Sequence, residues 1–391
     1  MNIKLSGRID SSTAAGVEAE ISRKLAEAPG EVPVFDASEL EYVSSAGLRV
    51  LLKFRKQFGK NLDVINASSE VCDIFEVTGF NQLLNVKKKL REISIDGCEV
   101  IGGGNYSTVY RLDPETIVKV FDKHKMDQAK IESDQRISRE AFLHDIPTAI
   151  SYDVVRVGEY YGIVYEMIDA DTMSSTLRKH PERLEELSIK AARIMKKLHT
   201  TEFEPGTFPD ARLGYHERIS AVLEKGFISE GDAAAMHEVI DRVPYRNTFV
   251  HGDFHPNNLL VTGGDMTIID VGDASLGHPV LDLAISYAHF VRLSRFSAEH
   301  NSSIHARVIG LDYKMLGAIW DIMMPEYFGT EDNEAIARAE KLLEGYSSFF
   351  MMSVFSANKV PIPYEVKKQI LSGIVHPLLE AASSLKPMEG I

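Results

Sequence analysis

The sequence predicts two domains of different architecture, a small α/β domain followed by a larger α+β domain that is mostly helical in its second part. Over residues 1–95, short strands that alternate apolar and polar residues are separated by helical stretches, which is typical of an α/β unit. After residue 96 the pattern changes to a glycine-rich hairpin with apolar strands, and then to long helical stretches. At 391 residues the chain is long enough for two or three domains.

Composition and charge exclude several classes of protein. Hydrophobic residues make up 44% of the chain and charged residues 26%, as in ordinary globular proteins. The chain shows no signal peptide and no apolar run of bilayer length, and Cys72 and Cys98 are its only cysteines, so we expect a cytoplasmic protein that does not bind a membrane. The net charge of −14 lies almost entirely after residue 97, which disfavours nucleic acid as a partner. This acidity suits a cationic substrate, or it serves solubility alone.

The first 95 residues predict alternating strands and helices. Ile3 and Leu5 indicate a first strand, residues 14–28 form a helical pattern, and residues 32–35 indicate a second strand that Asp36 closes. The next helix begins at Ser44-Ser45, because the apolar residues after these serines recur at helical spacing. A further strand at 62–65 and a helix at 71–77 follow.

Residues 1–95 resemble the STAS domains, the fold of the anti-sigma factor antagonists. The resemblance is carried by Gly7-Arg8-Ile9-Asp10, Asp36-Ala37-Ser38, Tyr42-Val43-Ser44-Ser45-Ala46-Gly47-Leu48 and Val77-Thr78-Gly79-Phe80. It implies a protein partner at this domain and a phosphorylation site at Ser45, where a phosphate would face the positive end of the helix dipole. The alternatives are that Ser44 and Ser45 are plain helix caps and that the domain mediates self-association.

A glycine-rich hairpin begins the second domain. Gly102, Gly104 and Val109 match the pattern G-x-G-x-x-G-x-V, with Ser107 at the third glycine. Glycines allow the backbone to approach phosphate groups and donate N–H groups to them, although a glycine hairpin also forms without any ligand. Because residues 108–112 continue as a strand and not as a helix, the pattern favours a phosphate-covering hairpin over a Rossmann turn.

One lysine, Lys119, lies within the apolar strand at residues 116–121. Lysine is almost never fully buried unless it is paired. Lys119 is therefore either a lysine of an edge strand or the group that binds nucleotide phosphates, and the neighbouring motifs favour the second interpretation. A carboxylate partner is expected on the helix at 128–143, where Glu132 and Glu140 are the candidates.

The segment His251-Gly252-Asp253-Phe254-His255-Pro256-Asn257-Asn258 carries the strongest functional signal. Asp253, Asn258 and the later Asp270 form the set that magnesium-assisted phosphoryl transfer requires: one carboxylate orients the attacking hydroxyl, and an amide and a second carboxylate hold Mg²⁺ on the nucleotide phosphates. A zinc site at His251, Asp253 and His255 is the alternative, but it leaves Asn258, Asp270 and Lys119 unexplained.

Residues 98–391 resemble the aminoglycoside and choline kinase-like phosphotransferases, a branch of the protein-kinase-like fold. The carriers are the glycine-rich hairpin, Lys119, Leu198-His199, the segment 251–258, Ile269-Asp270, and Gly277-His278-Pro279 with Leu281-Asp282-Leu283-Ala284. The resemblance implies a bilobal domain with an N-lobe at 98–168 and a C-lobe at 169–391. It also implies adenine contacts at the backbone of Glu166 and Ile168, and it favours Glu132 as the partner of Lys119.

These features together predict a phosphotransferase that uses Mg²⁺ to move the γ-phosphate of ATP to a hydroxyl of a small molecule, such as a sugar, an aminoglycoside or an amino alcohol. Acceptor specificity is expected in residues 206–245 and 288–387, and Asp282 is expected to brace a helix start. The sequence does not distinguish ATP from GTP. The alternative is a signalling protein of an anti-sigma-antagonist circuit, whose kinase-like domain senses nucleotide or phosphorylates a protein, with Ser45 as a candidate target.

Overall fold

The computed structural model describes residues 1–104, 107–122, 126, 128–299, 309–357 and 363–381. The chain forms two compact units, one of Met1–Ser94 with Val154–Glu159 and one of Ile95–Asp153 with Tyr160–Ile391. The first is an α/β unit and the second ends in a mostly helical region, which confirms the predicted fold class. Within the described ranges, no helix combines the length and the apolar character needed to span a bilayer.

Parallel strands form the sheet of the first unit, in the order β1-β2-β3-β4. The strands are Asn2–Ile9 (β1), Val34–Val43 (β2), Leu62–Ala67 (β3) and Leu84–Lys88 (β4), and a two-residue strand, Arg91–Glu92 (β5), follows. The helices are Ala14–Glu27 (α1), Ser45–Phe58 (α2) and Ser69–Val77 (α3), with a 3₁₀ turn at Phe80–Gln82. β4 was not predicted, whereas α1, α2, α3 and the first three strands confirm the predicted alternation.

β2 is longer than predicted, since it continues through Asp36 to Val43. Parallel pairing with β1 extends to the pair Ile9–Val43, with two register shifts on the way. The sequence pattern places the end of this strand at Asp36. In the structure, the Asp36 carboxylate accepts hydrogen bonds from the backbone N–H of Ser38 and from Nδ2 of Asn66, both at 3.0 Å. Pairing with a neighbouring strand therefore continues β2 past a polar residue at which the local sequence pattern predicts the end of the strand.

Helix α2 packs closely on the end of β1, and Gly47 permits the approach. Ser44 caps the helix, since its Oγ accepts a hydrogen bond from the backbone N–H of Ala46 at 3.2 Å, while Ser45 is exposed in the first turn. The backbone N–H of Ser44 bonds to the carbonyl of Ile9 at 2.8 Å. The predicted helix start at the two serines is confirmed.

Antiparallel strands begin the second unit and form a sheet in which β8 lies between β10 and β7. These strands are Glu99–Gly103 (β6), Ser107–Arg111 (β7), Thr116–Phe121 (β8) and Tyr160–Glu166 (β10). Strand Ser151–Val157 (β9) begins in this unit, and its residues from Val154 onward belong to the first unit. Helix Gln128–Leu143 (α4), with the bounds that the sequence predicts, follows β8. Lys119 is therefore on an interior strand, which excludes the edge-strand interpretation.

The rest of the second unit is largely helical, with short strands that carry the segments of the candidate site. The helices are Met173–Lys179 (α5), Leu184–Thr200 (α6), Ala211–Glu224 (α7), Glu230–Asp241 (α8), Pro279–Tyr287 (α9), Leu293–Glu299 (α10), Tyr313–Phe328, Asn333–Ser356 and Tyr364–Ala381. The strands are Asp171–Thr172 (β11), Phe249–Val250 (β12), Leu259–Thr262 (β13), Asp265–Ile268 (β14) and Ser275–Leu276 (β15). Shorter helical turns are Pro181–Arg183, Pro256–Asn258 and Val271–Asp273, and a π-helical turn at Ala288–Arg292 joins α9 to α10.

We predict that Gly47→Ala destabilises the first unit by about 1–3 kcal/mol. A Cβ at this position would lie 2.7 Å from Cγ2 and 2.8 Å from the carbonyl oxygen of Ile9, and 2.8 Å from Cγ2 of Val43. Hydrogen exchange of peptides from residues 1–94, followed by mass spectrometry, measures the effect. Gly16→Ala in α1 is the matched control, because its Cβ would meet no atom within 4 Å; equal protection in both variants would contradict the prediction.

Candidate active site

A buried carboxylate holds the loop that contains Asp253. Asp282 in the first turn of α9 is fully buried and accepts hydrogen bonds from the backbone N–H groups of His251 at 2.8 Å and Gly252 at 2.9 Å. Its Oδ2 lies 3.1 Å from Nε2 of His199. Burial acts to raise the pKa of Asp282, but the bond with His199 and the backbone donors outweigh burial and lower it. Asp282 thus braces the loop across the fold. The start of its own helix, where the sequence predicts the bracing role, is instead capped by His278, whose Nδ1 accepts the backbone N–H of Val280 at 3.1 Å.

The two histidines of the loop support its shape through defined tautomers. Nδ1 of His251 accepts the backbone N–H of Asp253 at 3.2 Å, so Nε2 carries the hydrogen and lies 3.2 Å from the carbonyl oxygen of Ile269. Nδ1 of His255 accepts the backbone N–H of Asn257 at 3.2 Å, which leaves its Nε2–H directed to Asp253. Because both ring nitrogens of His251 are engaged, the geometry disfavours the zinc alternative.

Two imidazoles flank the Asp253 carboxylate, which is 49% exposed. Nε2 of His255 lies 3.4 Å from its Oδ2, and Nε2 of His289 lies 3.1 Å from its Oδ1. Burial acts to raise the pKa of Asp253, but the two histidines outweigh burial and hold it well below its usual range. Sequence reasoning missed His289, because it lies far from the loop along the chain and belongs to the π-helical turn after α9.

The antiparallel hairpin β13–β14 brings the two predicted metal ligands together. Leu259 pairs with Ile268, so Asn258 directly before β13 and Asp270 shortly after β14 lie at the same end of the hairpin. The backbone N–H of Ile269 donates to the carbonyl of Asn258 at 2.9 Å. The local pairing of two short strands therefore determines the spacing of an amide and a carboxylate.

The side chains of Asn258 and Asp270 present oxygen atoms at this end of the hairpin. Nδ2 of Asn258 donates to the carbonyl of Asp253 at 2.9 Å, and no described residue donates to its Oδ1. Asp270 has φ 66° and ψ 43°, the left-handed region that is uncommon for residues other than glycine. Such strain is concentrated at functional sites, where the surrounding structure stabilises it. Amide and carboxylate oxygens suit Mg²⁺, so the donor set fits that ion.

Lys119 reaches this carboxylate from the interior strand β8. Its Nζ lies 2.5 Å from Oδ1 of Asp270. Burial acts to lower the pKa of Lys119, but attraction to Asp270 outweighs burial and raises it, so the side chain is an ammonium. The structure does not bring Lys119 together with Glu132 or Glu140; Glu132 instead accepts a hydrogen bond from Nε2 of Gln128 at 2.8 Å.

The carboxylate of α4 that faces the Asp270 segment is Asp134, which sequence reasoning missed. Asp134 is 4% exposed, and a Cβ on Gly272 would lie 2.9 Å from its Cβ. Lys130 bridges Asp134 at 2.8 Å and Asp273 at 2.7 Å. The signal was present in the sequence, because Asp134 shares the helical spacing of the buried residues Ile131, Ile137, Ser138 and Ala141.

The glycine-rich hairpin and the segment after β10 occupy the remaining predicted positions. Gly102 pairs with Val109, and the backbone N–H of Gly104 donates to the carbonyl of Ser107 at 2.9 Å. The hairpin residues Asn105 and Tyr106, like parts of the predicted specificity segment 288–387, lie outside the described residues. A Cβ on Gly104 would meet no atom within 4 Å, so packing within the chain does not require this glycine.

At the predicted adenine contact, the backbone N–H of Glu166 is already used, because it donates to the carbonyl of Ile150 at 3.0 Å. The Glu166 side chain accepts the backbone N–H of Ile150 at 2.7 Å. Ile168 follows in the linker, and no described residue bonds to its backbone N–H. Of the two predicted residues, Ile168 is the one with an available backbone donor.

We predict that Asp282→Ala lowers the free energy of unfolding of the second unit by about 3–5 kcal/mol, because it leaves buried N–H groups and His199 without their partner. Trp320, the only tryptophan, is 1% exposed in this unit, and its fluorescence during urea unfolding measures the change. Asp265→Ala at the exposed hairpin tip is the control and should stay within about 0.5 kcal/mol of wild type. Equal losses in the two variants would refute the bracing role.

We predict that Asp134 makes stability fall as pH rises. Burial raises the pKa of Asp134 to about 6, although Lys130 opposes this effect. Between the unfolded and folded pKa values the folded state binds more protons, so ionisation of Asp134 destabilises it. Asp134→Asn should therefore gain about 1–3 kcal/mol relative to wild type between pH 4 and pH 7.5, measured by Trp320 fluorescence in urea. Lys130→Met should steepen the pH dependence, and a constant difference across this range would contradict the assignment.

Two family models match the chain. The model of the phosphotransferase enzyme family (APH) matches residues 97–302, and the model of the Mlab STAS domain matches residues 1–85. A curated relative, the candidate anti-sigma factor antagonist BtrV of Bordetella bronchiseptica, is 34% identical over 85 residues, which cover 21% of this chain and 72% of that protein.

Solved structures of kinases align with the chain at low identity. A choline/ethanolamine kinase family protein from Mesorhizobium loti is 17% identical, with a TM-score of 0.47 over 74% of this chain and 92% of that one. The ADP-bound aminoglycoside phosphotransferase APH(2'')-Ib is 16% identical, with a TM-score of 0.45 over 79% and 98%. A choline kinase from Cryptosporidium parvum is 14% identical, with a TM-score of 0.44 over 74% and 89%.

The match over residues 97–302 spans more than half of the chain and contains the whole constellation of Lys119, Asp253, Asn258 and Asp270. The resemblance that the motifs predicted is thereby confirmed for both parts of the chain. The chain belongs to the phosphotransferase enzyme family and carries a STAS domain in its first 85 residues.

Proposed function

We propose that this protein transfers the γ-phosphate of ATP to a hydroxyl group of a small molecule with the help of Mg²⁺. The observation that carries the proposal is the convergence of Asp253, Asn258 and Asp270 at one end of the β13–β14 hairpin, with Lys119 on Asp270. This set provides one carboxylate for the acceptor, two oxygen ligands for a metal ion and one ammonium for phosphate charge.

Asn258 and Asp270 would hold the magnesium ion, which neutralises phosphate charge when it is bound. Lys119, already held at the same carboxylate, supplies a further positive charge. The glycine-rich hairpin at Gly102, Gly104 and Ser107 would cover the phosphates, and the backbone of Ile168 would meet the adenine. Glu166 would contribute only through its carbonyl oxygen, because its N–H bonds to Ile150.

The low pKa of Asp253 supports a role in orienting the acceptor hydroxyl over a role as a strong general base. A carboxylate held as an anion by His255 and His289 is a weak base, so its main contribution is to orient the acceptor hydroxyl. The hydroxyl oxygen forms the new bond to the γ-phosphorus as the bond to the β-phosphate oxygen breaks and ADP leaves. The hydroxyl proton passes to Asp253 late in this process, which suits a loose transition state.

We predict different losses for Asp270→Ala and Asp253→Ala. Asp270→Ala should lose magnesium-dependent ATP binding, measured by calorimetry, because it removes a metal ligand. Asp253→Ala should bind nucleotide normally, but its slow ATP hydrolysis should fall by about 10²–10⁴-fold, since the group that orients the nucleophile is missing. Asp265→Ala, at the other end of the same hairpin, serves as control. No magnesium-dependent nucleotide binding by wild type would overturn the proposed function.

A second candidate is a signalling role in which a protein hydroxyl is the acceptor. The match to the STAS domain favours it, as does the position of Ser45, which is exposed in the first turn of α2 while Ser44 performs the capping. Phosphopeptide mapping after incubation with ATP distinguishes the two functions, with Ser45→Ala as the control. Label at Ser45 that depends on Asp253 supports the signalling role, and unlabelled protein with an active small-molecule acceptor supports the first proposal.

A further inference from the structure

Successive contacts connect Asp253 to half-buried side chains from three helical segments. His289, on the π-helical turn, contacts Asp253 at 3.1 Å, and its ring centroid lies 4.8 Å from that of Phe350 on the helix Asn333–Ser356. The guanidinium carbon of Arg218 on α7 lies 5.7 Å from the Phe350 ring centroid. We call His289, Phe350 and Arg218 the acceptor wall.

The N–H donors of Arg218 have no hydrogen-bond partner among the described residues, in contrast to those of Arg212 and Arg292. Arg212, on the same helix, binds the carboxylate of Asp210 at 2.6 Å. Arg292 donates to the carbonyl of Glu344 and to the hydroxyls of Ser347 and Ser348, each at 2.9 Å. Arg218 forms no hydrogen bond or ion pair with any residue that the structure describes, and its guanidinium lies near the rings of Phe350 and Tyr215.

Among the described residues, Arg8, Arg49 and Arg139 also form no ion pair, but they are exposed, whereas Arg218 is half-buried. The chain has 57 Asp and Glu residues against 43 Lys and Arg, so carboxylates are not scarce in it. A guanidinium presents five N–H donors in a planar fork that matches carboxylate and phosphate groups. The rings of Tyr215 and Phe350 lie near the guanidinium of Arg218 without using those donors. The half-buried position weakens screening by solvent, so an anion bound there interacts more strongly than on an open surface.

We propose that Arg218 binds an anionic group, a carboxylate or a phosphate, on the acceptor whose hydroxyl meets Asp253, while Phe350 contacts the carbon skeleton between them. This inference rests on the proposed function and narrows its substrate class. Two imidazoles contact the Asp253 carboxylate, and His289 connects it through Phe350 to the guanidinium of Arg218. These groups favour an acidic hydroxy compound over a polycationic aminoglycoside or an amino alcohol.

Matched pairs of hydroxyl compounds test whether the acceptor wall binds an anionic group. L-Serine differs from ethanolamine by a carboxylate, and glycerol 3-phosphate differs from glycerol by a phosphate. Calorimetric binding of each compound is measured with wild type, Arg218→Gln and Arg218→Lys, both alone and with magnesium and a non-hydrolysable ATP analogue. Arg193→Gln is the control variant, because Arg193 is an exposed arginine paired with Glu326.

We expect wild type to bind at least one anionic member more tightly than its neutral partner. Arg218→Gln should lose about 10- to 100-fold of that affinity, as expected for a hydrogen bond to a charged group, and Arg218→Lys should retain part of it. Nucleotide binding and Trp320-monitored stability should match those of Arg193→Gln. If Arg218→Gln loses affinity for L-serine, the bound group is a carboxylate; if it loses affinity for glycerol 3-phosphate, the bound group is a phosphate.

The inference is overturned if wild type shows no preference for either anionic compound, if Arg218→Gln keeps the preference, or if kanamycin binds better than both acids. A loss of stability in Arg218→Gln without a change in anion preference would show that the guanidinium only covers the aromatic rings. Failure of wild type to bind nucleotide would count against the proposed function alone, since the anion preference is also measured without nucleotide.

Discussion

The candidate site depends on one buried interaction, the acceptance of two backbone N–H groups by the carboxylate of Asp282. A buried charge is costly unless it is fully hydrogen-bonded, and here His251, Gly252 and His199 supply the bonds. His199 also bonds to the hydroxyl of Tyr327 at 2.7 Å, which ties the loop to α6 and to the helix Tyr313–Phe328. The position of Asp253 is therefore set by buried groups on other elements of the fold.

The positions of Asn258 and Asp270 have a different origin, because local strand pairing creates them. The hairpin β13–β14 fixes the spacing of Asn258 and Asp270, and the left-handed backbone of Asp270 directs its carboxylate to Lys119 on β8. A strained backbone at this residue persists because the hairpin on one side and the Lys119 contact on the other hold it. Positioning by rigid elements is what phosphoryl transfer requires, since there is little covalent chemistry for the protein to perform.

Electrostatics divides the site into two sides. On the side of Asp270, Lys119 and Lys130 face the carboxylates of Asp270, Asp134 and Asp273 in alternating pairs. On the side of Asp253, the identified partners of this carboxylate are imidazoles. The net negative charge of the chain does not predict the local charge of either side, because local charge depends on which charged groups are paired there.

The sequence by itself determined the order of the motifs and several of the helices and strands. Helix Gln128–Leu143, strand Thr116–Phe121 and the serine-capped start of α2 follow from periodicity and capping, which act over a few residues. The candidate roles of Asp253, Asn258 and Asp270 follow from a motif whose spacing reflects one loop and one hairpin. Only the tertiary structure decided which groups meet. Lys119 pairs with Asp270 and not with Glu132, and His289 lies beside Asp253. Asp134 lies on the buried face of α4, and β4 joins the first sheet. These pairings join residues that are distant along the chain. The packing of whole helices and strands determines which residues meet, and periodicity along the chain carries no information about that packing.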